Sequence, residues 1–180
     1  KVLFESSLDL NLGEVIIRKF RKKLKKFMKE WMTSELRRTI ILSYSYSFDL
    51  YFWKRKGLNP KNKKLETEEI GWAYLEEVIE DVTNLVKSLK SATSEVYLYS
   101  FFNILEYLFV CFEKIYDLVT PKMIDRLIDF VIDYPGVINQ EEHLYQLREA
   151  FTRFFEMLIS ILNLDNNKYV FEKISKIILS

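Results

Sequence analysis

The stretch Ile40–Trp53, IILSYSYSFDLYFW, decides the fold of this chain. Tyr44, Tyr46, Phe48, Leu50 and Phe52 alternate with Ser43, Ser45, Ser47, Asp49 and Tyr51, which is the period-two pattern of a half-buried strand. The same segment carries a second pattern. Ile40, Ile41, Tyr44, Phe48, Tyr51 and Phe52 recur at steps of three and four and form one stripe of a helix. The flanking sequence is helical on both sides, so Leu36–Trp53 is read as a helix. A hairpin strand is the alternative.

Upstream, Ile16, Phe20, Leu24, Phe27 and Trp31 mark a helix over about Glu14–Met32, and Val2–Gly13 reads as an irregular or extended lead-in. Downstream, Lys54–Leu65 holds Gly57 and Pro60 and reads as a loop. Ile70, Tyr74, Val78, Val82, Leu85 and Leu89 stripe a helix over about Thr67–Ser91, with Thr67 as its N-cap. A further helix covers about Ser94–Val119. Thr120-Pro121 supplies an N-cap and a first-turn proline for a helix that stops near Asp133, before Pro135-Gly136. Asn139 with Glu142 is a capping-box-like start for a helix to about Leu162, and a last helix follows Asp165-Asn166-Asn167 to Leu179.

The expected fold is therefore all-α: a bundle of six to seven helices, or a short solenoid-like array of helical hairpins. An internal echo supports the array. Phe101, Leu105, Leu108, Phe109, Phe112 and Ile115 align with Leu147, Phe151, Phe154, Phe155, Leu158 and Ile161, and each long helix is followed by a short one. Such a period resembles a helical-hairpin repeat of the HEAT kind.

The 180 residues fit a single domain over 1–180, with a basic part (1–64) and an acidic helical core (65–180). An apolar content of 49% is enough for a large core, and four Gly and three Pro are too few for a turn-rich β protein. One cysteine, Cys111, excludes an intrachain disulfide framework and reads as a core thiol. The most apolar run, Phe101–Phe112, is interrupted by Asn103 and Glu106 and is too short and polar to span a bilayer. No signal peptide is visible, and the expectation is an intracellular, cytoplasmic chain without a transmembrane segment.

Charge is segregated. From Arg18 to Lys64 there are sixteen Lys/Arg against three acids, a net of +13; from Leu65 to Ser180 there are ten against twenty, a net of −10. With −2 over residues 1–17, a total of +1 hides a strong dipole. On a helical wheel, Ile16, Ile17, Phe20, Leu24, Phe27, Met28 and Trp31 fall within an arc of about 120°. Arg18, Lys19, Arg21, Lys22, Lys23, Lys25, Lys26 and Lys29 share the remaining face with Glu30 alone among acids. Clustered cations on one helix face are the electrostatic footprint of nucleic-acid binding. A second cluster, Lys54, Arg55 and Lys56, follows Tyr51, Phe52 and Trp53, and Lys61, Lys63 and Lys64 follow in the loop. Aromatics beside cations suit stacking of unpaired bases. The competing reading makes those aromatics core and leaves only the cations outside.

Nothing points to catalysis, a metal or a cofactor. His143 is the only histidine and reads as an exposed residue of a first helical turn. Glu76, Glu77, Glu80 and Asp81 cluster at one-turn spacing, which suits oxygen ligation of Mg²⁺. Glu77-x-x-Glu80 resembles the first half of the carboxylate motif of all-α nucleotide pyrophosphohydrolases, but no Glu-x-x-Asp follows on the next helix. That resemblance implies a Mg²⁺-dependent nucleotide hydrolase as a remote alternative. Asp125, Asp129 and Asp133 form an acidic line expected to face solvent or a basic partner. The leading expectation is a non-catalytic helical subunit of a larger complex. Its basic N-terminal helix contacts an RNA or DNA backbone, and its acidic C-terminal helices contact protein subunits. The rival is a protein–protein adaptor that self-associates through opposite charges.

Overall fold

The computed structural model describes residues 10–57, 67–89, 93–134 and 140–179. Seven α-helices run in order: α1 (Leu10–Phe27), α2 (Ser34–Arg55), α3 (Glu68–Lys87), α4 (Ser94–Glu113), α5 (Pro121–Asp133), α6 (Gln140–Ile161) and α7 (Leu164–Leu179). A single 3₁₀ turn, Tyr116–Leu118, joins α4 to α5, and no strand occurs among the described residues. Residues 1–9, the Pro60–Leu65 part of the expected loop with Lys61, Lys63 and Lys64, and the Pro135-Gly136 and Asn139 signals lie outside the described residues.

The ambiguous segment is helical. In α2 the buried residues are Ile41, Tyr44, Ser45, Ser47, Phe48, Asp49 and Phe52, the three-and-four spacing of one helix face. The serines that mimic a strand are accommodated locally: Thr39, Ser43 and Ser47 each donate to the carbonyl four residues back, at 3.1, 2.9 and 2.9 Å.

Helix boundaries follow their caps. Thr67 and Thr93 accept from the N–H groups of Ile70 and Val96 and start α3 and α4. Pro121 opens α5, as its fixed φ favours. Gly57 ends α2 at φ +66°, the left-handed conformation that only glycine takes without strain. Three helices stop earlier than expected, α3 at Lys87 rather than near Ser91. α4 ends at Glu113 rather than near Val119, because the chain must turn through Tyr116–Leu118 to reach Thr120, which precedes a proline and is extended. α1 ends at Phe27 rather than Met32. Lys29 and Glu30 tighten to bonds with the carbonyls three residues back, and the Asn103 amide of α4 donates to Met28 O at 2.6 Å and Glu30 O at 3.3 Å. A side chain thereby serves carbonyls that a longer helix would have bonded.

Alternate helices are neighbours. α1 packs on α2, α2 on α4 and α4 on α6; α3 packs on α5 and α5 on α7; α3 against α4 joins the two layers. The described helices thus form an all-α bundle in two layers. The two echoing segments are stacked partners: α4 lies on α6, with the Phe101 and Phe151 rings edge-to-face at 5.4 Å. Between the layers the fit is tight at Gly71, where an added Cβ would lie 3.2 Å from a Leu118 methyl. One core cluster runs from Leu24 and Met28 in α1 to Val170 in α7. Among the described residues α4 has the length and apolarity of a membrane span, and over half of that window is buried inside the fold.

Candidate nucleic-acid interface

α1 docks on a face rotated from the one its apolar pattern suggests. Ile17, Leu24 and Met28 are buried. Ile16, Phe20 and Trp31, expected beside them, are 43%, 37% and 63% exposed. The rotation turns Arg21 and Lys25 inward. Asp81, on the buried side of α3 and only 6% exposed, receives Arg21 at 2.5 Å and Lys25 at 2.7 Å. The Tyr44 hydroxyl donates to the second oxygen of Asp81 at 2.5 Å, and the Tyr107 hydroxyl lies 3.4 Å from it. Burial works against the Arg21 charge, but Asp81 and the two tyrosines outweigh it and its pKa is raised. Burial, with Asp81, pushes the Tyr44 hydroxyl far up, so it stays a donor.

The other expected cations divide into engaged and exposed sets. Arg18 pairs with Glu14 at 2.5 Å, and Lys54 lies 3.7 Å from the same carboxylate. Arg55 and Lys56 lie 3.4 and 3.2 Å from Glu77. Lys29 donates to Ser88 O at 3.4 Å. Lys19, Lys22, Lys23 and Lys26 are exposed, and none has an ion-pair partner among the described residues. They occupy an arc of about 100° and span about 10 Å along the helix.

The aromatics beside the second cation cluster do not form an open stacking surface. Phe52 is fully buried, and Trp53 packs on the core. Tyr51 is half-buried and faced by guanidinium groups of Arg18, Arg21 and Arg55 at 5.9, 4.6 and 5.6 Å from its ring centre. Cation–π contacts within the fold thus take the ring face that a base would need.

A second buried carboxylate, Asp49, sits in the same core and is 3% exposed. Tyr74 donates to it at 2.5 Å, and Lys114 donates to it and, at 2.7 Å, to Ser45. Burial raises the Asp49 pKa, with Lys114 and Tyr74 opposing. Cys111 is the core thiol expected, 3.6 Å from Ser45 Oγ, and burial pushes it up to about 11. The sequence offered one signal for both carboxylates. Tyr44 and Tyr74 stand at stripe positions, and a buried tyrosine hydroxyl needs a partner.

The α3 carboxylates diverge. Asp81 turns into the core, Glu76 takes Arg126 at 3.0 Å, Glu77 faces Arg55 and Lys56, and Glu80 is exposed. No group of three metal-type ligands converges among the described residues. Asp125 and Asp129 face a basic partner within the chain: Lys173 of α7 lies 2.6 and 3.1 Å from them, and Tyr169 donates to Asp125 at 2.8 Å. His143, expected on the surface, is half-buried at a kink in α6, where its φ of −113° and ψ of 17° leave the helical region.

No family model matches the chain, and neither a curated protein nor a solved structure matches it.

Proposed function

We propose that this protein is a non-catalytic helical module that holds the phosphate backbone of a nucleic acid along α1. One observation carries the reading: Lys19, Lys22, Lys23 and Lys26 project together from a helix whose inward cations, Arg21 and Lys25, are already engaged by Asp81. Neighbouring lysines three or four apart repel by a few tenths of a kcal/mol each. A row of phosphates relieves that repulsion and releases the counterions that otherwise accumulate there. The reading predicts affinity without base recognition. The acidic later helices are proposed as contacts for protein subunits, through Asp133 and Glu80, which remain exposed.

Fluorescence anisotropy with labelled RNA and DNA, across roughly 50–300 mM salt, tests the proposal. Four phosphate contacts give a slope of log K against log salt of about −3 for a single strand. Reversing Lys19, Lys22, Lys23 and Lys26 to Glu should abolish binding. Reversing the exposed Lys87, Lys122, Lys168 and Lys176 should retain most of it. A wild-type chain that binds no polymer at the lowest salt sinks the proposal, and concentration-dependent mass that dissolves in salt would favour the self-associating adaptor.

A further inference from the structure

We propose that the polymer held by α1 is single-stranded and that the indole of Trp31 stacks one of its unpaired bases. This rests on the phosphate-contact reading above and narrows its ligand.

Trp31 lies five residues after Lys26, just beyond the end of α1, and is 63% exposed. A large aromatic left in water forgoes the burial that normally holds it inside. Its backbone, by contrast, is fixed. Met28 and Met32 on either side are buried, Asn103 donates to the carbonyls of Met28 and Glu30, and Arg37 donates to Met32 O at 3.2 Å. The ring is therefore displayed on a pinned link, and no ordering of that link is required when a ligand arrives. Base faces are available only in single strands, since a duplex hides them in its own stack. A platform at the end of a lysine row is the arrangement that tracks such a strand: cations hold phosphates and an aromatic takes a base. Stacking is also indifferent to base identity. An anionic membrane would have to be met by the apolar residues left partly exposed, Ile16, Phe20 and Trp31 at 43%, 37% and 63%, since Ile17 and Leu24 are committed to the core, and the vesicle arm of the test separates that occupant.

The test uses the full chain, a dT oligonucleotide of about twelve nucleotides, a duplex of the same length and vesicles of phosphatidylcholine with roughly one-quarter phosphatidylserine. Anisotropy reads the two oligonucleotides, and intrinsic fluorescence of wild type minus Trp31→Phe reads the indole. Tighter binding of the single strand, quenching of the Trp31 signal by it, and a loss on the order of tenfold for Trp31→Ala support the proposal, with duplex binding and salt slope unchanged. Trp31→Phe should retain most of the affinity. Equal binding of strand and duplex, or an unaffected Trp31→Ala of native circular dichroism, overturns the proposal and leaves the phosphate reading standing. A Trp31 response to vesicles but not to dT overturns it in favour of a membrane surface. Absence of binding to either oligonucleotide overturns both.

Discussion

Asp81 is where the basic helix and the core meet. A carboxylate 6% exposed is tolerable only because two cations and two hydroxyls surround it. Asp81→Asn should therefore cost about 3–5 kcal/mol, because Arg21 is left buried without its anion. Urea unfolding reads this as a lower midpoint at unchanged slope. Replacing the buried partners together, Arg21→Met and Tyr44→Phe with Asp81→Leu, should recover most of the loss, since removing a buried network together costs far less than orphaning one charge. A singly substituted protein as stable as wild type would show that the pair contributes nothing. None of this is visible in the local sequence. Arg21 and Lys25 look like their neighbours, and only a carboxylate sixty residues away from Arg21 separates them.

At the level of elements, what was legible depended on whether one helix carried its own answer. The α2 stripe did: Ile41, Tyr44, Phe48 and Phe52 of the helix reading are buried, and Ser43 and Ser47 bond within the helix. The N-caps at Thr67 and the proline at Pro121 were legible for the same reason. α1 was not. It offers seven apolar residues over about 120°, more than one neighbour can cover, so the face used is set by α2 and Asp81 and not by α1 itself. Of the eleven candidate binding cations, the four exposed lysines Lys19, Lys22, Lys23 and Lys26 have no ion-pair partner among the described residues. The acidic line on α5 was legible as acidic, but its partner Lys173 on α7 was not. This pairing makes a pH prediction. Although burial works the other way, Lys173 and Tyr169 hold the Asp125 carboxyl below its ordinary value. Its stabilising contribution is thus full above the ordinary carboxylate range and is lost as pH falls through the lowered value. Asp125→Asn should be less stable than wild type near neutrality by less than about 1 kcal/mol, as suits a largely solvated pair. The gap should close in acid. Thermal melts of both proteins from about pH 7 down to about pH 3 check it, and a gap that persists in acid would place the effect elsewhere.

On the scale of the whole molecule, the 46-residue echo falls on α4 and α6, which begin at Ser94 and Gln140 and stack on each other within the all-α bundle. The Asn103 contact with the α1–α2 link was not foreshadowed, yet it decides between near-equivalent arrangements. Slide α1 by four residues along its groove: Lys25 replaces Arg21 and Lys29 replaces Lys25, so Asp81 keeps two cations. Met28 and Met32 take the slots of Leu24 and Met28. The Ile17 slot would receive Arg21, and the slot of the buried Gly13 would receive Ile17. Cations alone therefore leave the register of this helix loosely specified, and the amide that grips Met28 and Glu30 adds a contact that only one setting makes. Asn103→Leu should cost about 1–2 kcal/mol for the carbonyls it abandons. It should also split the amide resonances of α1 into two slowly exchanging sets, where the native chain should show one. Charge supplies this helix with its surface, but a single neutral side chain gives it a unique address.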